Sequence, residues 1–597
     1  MFNSLFKKSS NNDVMIILSV IGSLAIALFT LFFIYSFGVN IPIADDWTFV
    51  PFAEMVLNNE PFWEFPNFLQ HNDHRPIFPS LIFYLSILLT SWNFLYLMYF
   101  GWFLVAMSVV IIFYMLKNTF PKLIWLIVPI SAILFNIAQY ENFLWAFTSV
   151  EWFIVSFSII ISVFFLSKIK ENFLMIIPAM LFGTIATFSG IAGLLIWLIG
   201  IFTVFSLSTH KKTFLSIWIP VSAFIFILYF YDFTPTSSFT EQNFAFLSID
   251  GINYFLSYLS NGLILKFEVI KISIGFLLLV GIFLPILFFI KKNNVYYNFI
   301  PWFQLGLAGF FSAGFATFGR FVDTGYIPAR YITQSTFAQI SALVILTVAI
   351  FLIYKNLKKK NHKKLFQIII ITLFVFMAFS LGSSYYIGWV KGSEWHDEKS
   401  SFLNCLQNKV YDFKCPSPDS WGFTNTIYDN AKILQKLNLV PFDNDVKIIP
   451  DPFLSDITWT KIDQFDHVIG KIELVKPGVS VKPLSNLAEN SFVKQYGLLQ
   501  VAGWAVIMGD HSDNISVYVF VDDKIHSKAY YGMLRKDLSD FGLGTRSFSG
   551  WSGMIDLNEL QYGCHDASIR ILSDEGYAEI LYDKKICVEN ITLMGDK

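Results

Sequence analysis

Apolar and polar positions divide this chain into two parts. From Ile16 to Phe37 the side chains are apolar or small over a length that crosses a bilayer, following Lys7 and Lys8. No small-x-small cleavage site accompanies the run, so it reads as a signal anchor that stays attached. Further runs of spanning length lie near 94–116, 123–139, 149–167, 173–190, 191–209, 214–231, 271–290, 299–318, 332–354 and 365–387, which makes about eleven helices. The stretch Pro76–Thr90 is too short to cross and opens with a helix-starting proline. It reads as an interfacial helix lying in the membrane plane. Beyond about residue 461 the pattern changes to alternation at His467–Val475, Leu498–Val506, Ile515–Val521, Ser568–Leu572 and Ala578–Leu581, with turns at Asp522–Asp523 and Ser573–Gly576.

Composition agrees with this division. Of 597 residues, 55% are hydrophobic and 14% charged, against about 25% charged in a soluble chain. Mean hydropathy is +0.56. The fold class that follows is a polytopic α-helical membrane protein with a C-terminal β-sandwich of roughly 130 residues. The domain divisions are 1–387 for the membrane part, 388–460 for a mixed segment with an amphipathic helix over Asn425–Leu437, and 461–597 for the sandwich. A net charge of −2 points to no nucleic-acid partner.

The placement of lysines sets the orientation. With 76–90 left out of the spans, Lys117, Lys122, Lys168, Lys170, Lys211, Lys212, Lys291, Lys292 and the 355–364 cluster all face the cytoplasm. Counting 76–90 as a span moves most of them outside, against the positive-inside rule. The expectation is an integral protein of the cell (inner) membrane with a cytoplasmic N-terminus. Segments 38–93, 139–148, 232–270 and 319–331, and everything after Tyr386, are then extracytoplasmic. All four cysteines fall in that last part. Oxidising conditions there favour bridges Cys405–Cys415 and Cys564–Cys587, with four unpaired thiols as the alternative.

The polar chemistry lies in the same external segments. The first loop opens with Ala44-Asp45-Asp46-Trp47 and closes with His71-Asn72-Asp73-His74-Arg75-Pro76, around a short helix at Phe49–Leu57. Asp46 is placed to cap that helix. Asp45 or Asp46 with His71 or His74 matches the ligand set of a divalent metal, a possible cofactor. One aspartate orienting while the other acts as a base is the third reading, and the residues leave all three open. Gly319-Arg320 through Ala329-Arg330-Tyr331 puts two arginines outside, against the positive-inside tendency; interfacial snorkelling is the plain alternative. Glu141, between Tyr140 and Asn142, sits at the external end of a span.

A long first external loop with an acidic doublet just after the first span resembles the GT-C superfamily of membrane glycosyltransferases. The resemblance covers residues 14–387 by architecture, and rests on Asp45-Asp46, His71 to Arg75, Gln139 to Asn142, and Ala329 to Tyr331. It implies a polyprenyl-phosphate-linked sugar as donor, a glycan or lipid-linked glycan as acceptor, and membrane lipid as surroundings. It implies Asp45 or Asp46 as catalytic base. Transfer from a polyprenyl phosphate expels a good leaving group, so one base and a few cations suffice. His74, Arg75, Arg320 and Arg330 are candidates to hold the phosphate, and Glu141 to contact the acceptor. The C-terminal Ala502-Gly503-Trp504 and Ser549-Gly550-Trp551 patterns resemble sandwich modules attached to such transferases, although a core tryptophan with turn glycines is the better reading for Trp504. Rival readings are a glycan polymerase or ligase using undecaprenyl-linked sugars, a lipid or sugar transporter or flippase, and a non-enzymatic glycan-binding anchor. Few ionisable residues lie deep in the spans, which counts against transport.

Overall fold

The computed structural model describes residues 12–207, 209–234, 247–263, 267–289, 296–324, 326–356, 360–408, 424–442, 468–477, 491–494, 498–507, 516–533, 550–556, 560–561, 563–573 and 576–589. The chain forms two compact units, 1–396 and 397–597.

Among the described residues of the first unit and the helix that leaves it, nine helices are long and apolar enough to cross a membrane: Asp13–Phe37, Phe94–Thr119, Pro121–Leu144, Ala146–Lys168, Lys211–Phe230, Glu268–Pro285, Tyr297–Gly319, Ala329–Tyr354 and Ile370–Ser400. Many carry large apolar side chains on their outer surface, including Leu24, Phe32, Phe103, Ile227 and Phe276. Such a surface is unfavourable in water and suits lipid. The chain is a polytopic α-helical membrane protein. Ile77–Thr90 is helical and short, in keeping with its apolar run.

At the expected spans 173–190 and 191–209 the structure has two apolar helices shorter than the nine. Helices Phe173–Thr187 and Ile191–Phe205 each fall in the 10–17 residue class, short of the roughly 20 residues a crossing takes. Residues 188–190 are used in a turn, where the Ser189 and Gly190 amides donate to the Ala186 carbonyl. The two legs approach so closely that a Cβ on Gly193 would stand 2.0 Å from the Ala186 carbonyl carbon. Taken as a pair, the two legs leave the lysine pattern on either flank with the same parity.

Segments expected on one side do meet at one end. Arg75 reaches the Tyr229 and Tyr231 carbonyls, Gln70 bonds Thr234, Asn142 bonds the Arg330 carbonyl, and Asn261 bonds the Pro328 carbonyl. At the other end Lys170 lies over the Tyr297 ring, 4.3 Å from its centroid, and Phe120 packs on Phe299. Inside the bundle the Gln304 amide donates to Thr203 Oγ1 and the Gln339 amide to the Asn261 carbonyl.

The second unit holds a helix at Thr424–Lys436 and eight strands: β1 (Val468–Pro477), β2 (Ser491–Lys494), β3 (Leu498–Ile507), β4 (Ser516–Val521), β5 (Lys524–Met533), β6 (Gly550–Asp556), β7 (Gly563–Ser573) and β8 (Gly576–Glu589). They join in one hydrogen-bonded order, β1-β3-β6-β5-β4-β7-β8-β2, in which β5 pairs with β4 over residues 524–529 and with β6 over residues 530–533. Asp522 and Asp523, both at positive φ (48 and 60), make the two-residue hairpin between β4 and β5. Cys564 is disulfide-bonded, and Cys587 is the residue directly opposite it in the β7–β8 ladder. Cys415 lies outside the described residues.

Candidate functional site

The loop between the first helix and Ile77 is built around a bend just before the two aspartates. Ala44 sits in the left-handed region at φ 44, a conformation that costs an L-residue with a Cβ about 1–2 kcal/mol. A single 3₁₀ turn, Ala44–Phe49, follows and leads into the helix Val50–Leu57. In so tight a turn adjacent side chains diverge, and Asp45 and Asp46 meet opposite environments.

Asp46 is 0% exposed. Its Oδ2 accepts the Ile43 amide at 2.9 Å, closing the first turn from its third position rather than from the cap position expected. Its Oδ1 makes no hydrogen bond of ordinary geometry, although the Trp145 indole and the Phe147 amide face the carboxyl. Burial pushes this carboxyl well above the ordinary aspartate range; the Ile43 amide opposes that, and the neighbouring Asp45 charge adds to it.

Asp45 keeps 37% of its side chain exposed, with Oδ1 3.6 Å from His71 Nε2. The His71 ring is packed between Phe49 and Phe147, with centroids 5.6 and 5.3 Å away. His71 and His74 close a tight turn through mutual N–H to C=O bonds of 3.0 Å, with Asn72 at φ 51. Asn72 Nδ2 lies 3.2 Å from His71 Nε2.

That turn points its two histidines apart. His74 Nδ1 accepts the Ile191 amide at 3.1 Å and lies 3.6 Å from Glu151 Oε1. His74 thus ties the first loop to the 188–191 turn. Arg75 is 8% exposed, and its guanidinium donates to the carbonyls of Tyr229 (2.9 Å), Leu69 (3.3 Å) and Tyr231. A guanidinium so committed pins the loop to the end of the Lys211–Phe230 helix.

Arg330 opens the helical segment Ala329–Tyr354 and meets the 139–148 connection. Glu141 Oε2 accepts from Arg330 Nη1 at 3.1 Å and from the Arg330 amide at 3.2 Å. Asn142 Nδ2 donates to the Arg330 carbonyl and to Thr333 Oγ1, each at 2.7 Å. Thr333 in turn donates to Gln139. Asp45 is close enough for its charge to act on the Arg330 guanidinium. The 139–148 connection thus reaches Asp46 through Trp145 and Phe147, and Arg330 through Glu141 and Asn142. The side chain of Arg320 lies outside the described residues.

The metal ligand set weighed from the sequence does not converge. Asp45 and His71 adjoin, Asp46 is enclosed, and His74 faces Glu151. Among the described residues no group of three or more His, Cys, Asp or Glu side chains is placed to hold a metal ion. The sequence reading missed Glu151, a 4% exposed carboxylate in the apolar helix Ala146–Lys168. A carboxylate inside a membrane-length run is itself the signal that could have found it.

Fold and side chains together define a polytopic membrane protein in which Glu141 and Arg330 pair, and Asp45 and His71 adjoin, where the first loop meets the helical bundle. No protein-family model matches the chain, and no curated protein matches it. Among solved structures it is similar to a crystal structure of ArnT from Cupriavidus metallidurans bound to undecaprenyl phosphate, at 13% identity and a TM-score of 0.39. That match covers 70% of this chain and 88% of that one. So low a TM-score decides nothing about function, which has to be argued from the residues.

Proposed function

We propose that this chain is a membrane glycosyltransferase that moves a sugar from a polyprenyl-phosphate donor to an envelope glycan on the extracytoplasmic face. The observation that carries the reading is the division of labour in the acidic doublet. Asp46 is enclosed and ties down the turn, while its neighbour Asp45 is open to solvent beside His71 and within electrostatic reach of Arg330. A base and a cation at the same end of the bundle are what a displacement at phosphate-linked C1 requires.

In the proposed step Asp45 takes the proton of the acceptor hydroxyl as its oxygen bonds to C1 of the sugar. The C1–O bond to phosphate breaks, and the polyprenyl phosphate leaves with the bonding pair, its charge held by Arg330. An arginine suits that task because its planar fork matches phosphate oxygens. His71, wedged between two phenylalanine rings, keeps Asp45 aimed at the opening.

The test is complementation of a deletion strain, with envelope glycans read by mass spectrometry. Asp45→Asn should accumulate to the parental level yet transfer about a hundred to ten thousand times more slowly. Asp46→Asn should retain more activity, since it keeps an acceptor for the Ile43 amide. Parental glycan in both variants would remove the base from the mechanism. A shortened polymer in the deletion strain, in place of a missing side-branch sugar, would move the reading to a polymerase or ligase.

A further inference from the structure

Arg330 and Glu141 hold the clue to how the donor enters. One carboxylate oxygen, Glu141 Oε2, receives both the guanidinium Nη1 and the main-chain amide of Arg330. Two converging N–H donors of that kind are what a phosphate oxygen would meet. The side chains are 29% and 15% exposed, so the pair is reachable from solvent. The backbone at Arg330 is secured separately, by Asn142 and by the Thr333–Gln139 bond. The guanidinium can therefore exchange partners without disturbing the helix behind it.

We infer that Glu141 occupies the phosphate site of the empty protein and is displaced from Arg330 when a phosphate monoester or diester binds. The inference rests on the reading of Arg330 as the phosphate-holding residue. Its reason is charge. Glu141 and Asp45 both act on the one arginine, and a phosphate arriving beside them would add a third anion to a single cation. Exchange avoids that repulsion: phosphate takes the donors that Glu141 held. The released carboxylate then lies at the site's edge, available to the hydroxyls of the acceptor. Pairing with Glu141 also keeps the empty site from holding stray anions.

Binding without turnover tests this. Purified full-length protein in lipid nanodiscs is titrated with a polyprenyl monophosphate, and separately with inorganic phosphate. Glu141→Gln removes the competing charge but keeps an oxygen for the Arg330 amide. It should bind the lipid phosphate roughly threefold to tenfold more tightly, the range set by releasing a partly exposed ion pair. Arg330→Ala should weaken binding at least about tenfold, with Arg330→Lys between it and the parent. A residue that merely positioned Arg330 would give the opposite sign, so unchanged or weaker binding by Glu141→Gln overturns the exchange. If Arg330→Ala binds as the parent does, the phosphate reading of Arg330 itself fails. Displacement of the lipid by millimolar inorganic phosphate would assign recognition to the phosphate group alone. A lack of displacement would assign it to the lipid headgroup with its chain.

Discussion

Asp45 and Asp46 are adjacent carboxylates with different fates, because the bend at Ala44 and the following 3₁₀ turn send one outward and one inward. Asp46 makes a prediction of its own. Its folded-state carboxyl holds its proton to higher pH than the unfolded one does. As pH rises above about 4 the unfolded chain ionises first, and stability is lost until the folded carboxyl also ionises. Asparagine does not titrate, and its amide faces the donors of Trp145 and Phe147 at a fixed cost. The thermal advantage of the parent over Asp46→Asn should therefore shrink between pH 4.5 and 7.5. An advantage that grows with pH would mean Asp46 is ionised in the folded protein. Arg75 supplies a second prediction. Alanine there leaves the buried Tyr229 carbonyl and the part-buried Leu69 and Tyr231 carbonyls without this donor, and the loss should be about 1–3 kcal/mol, seen as a lower melting temperature in detergent. An unchanged melting temperature would show that the clamp is not formed.

At the scale of elements, β7 contains a titrating contact. His565 lies with Nδ1 2.5 Å from Asp522 Oδ2 and Nε2 2.7 Å from the Gln561 carbonyl, so both ring nitrogens face acceptors and the arrangement suits the imidazolium. Burial alone would lower its pKa, but the bonds to Asp522 and Gln561, together with the Asp522 and Asp566 charges, raise it above 6.5. Lys585 bears on the same group by pairing with Asp566. A raised histidine pKa means the stabilisation is full below the unfolded value and is lost as pH rises through the folded one. Amide protection in β7 should thus fall between pH 6.5 and 8.5 beyond the intrinsic exchange trend. His565→Gln should show a flat profile, and an equal decline in that variant would show that another group titrates. The hairpin at 173–205 teaches a different lesson about elements. Its apolar run is long enough to suggest two spans, yet residues given to the Gly190 turn leave each leg short.

For the whole molecule, the lysine pattern makes the orientation testable. A tag following Lys597 should be labelled from outside intact cells, because Lys117, Lys122, Lys168, Lys170, Lys211 and Lys212 are expected to face the cytoplasm. Labelling only after permeabilisation would place the site on the cytoplasmic side and defeat the proposed use of an extracytoplasmic donor. That the first loop, the 139–148 connection and the 329–331 turn meet at one end is consistent with the lysine pattern, and brings together residues nearly three hundred positions apart.

Membrane character, most span positions and several strands were legible in the sequence, because hydropathy and alternation are local properties that bilayer and sheet act on directly. β5 and β6 were harder to read: Lys524–Met533 is broken by polar residues, and Gly550–Asp556 carries the glycines of a turn. Asp45, His71 and Arg330 could be picked out as unusual residues for an external membrane boundary. Their partners could not. That Arg75 is bound to three carbonyls, that His74 meets Glu151, and that Glu141 lies on Arg330 depend on how distant helices pack. The difference is physical: solvent preference is a property of each residue, whereas the partner of a charge is chosen by what the folded chain places beside it.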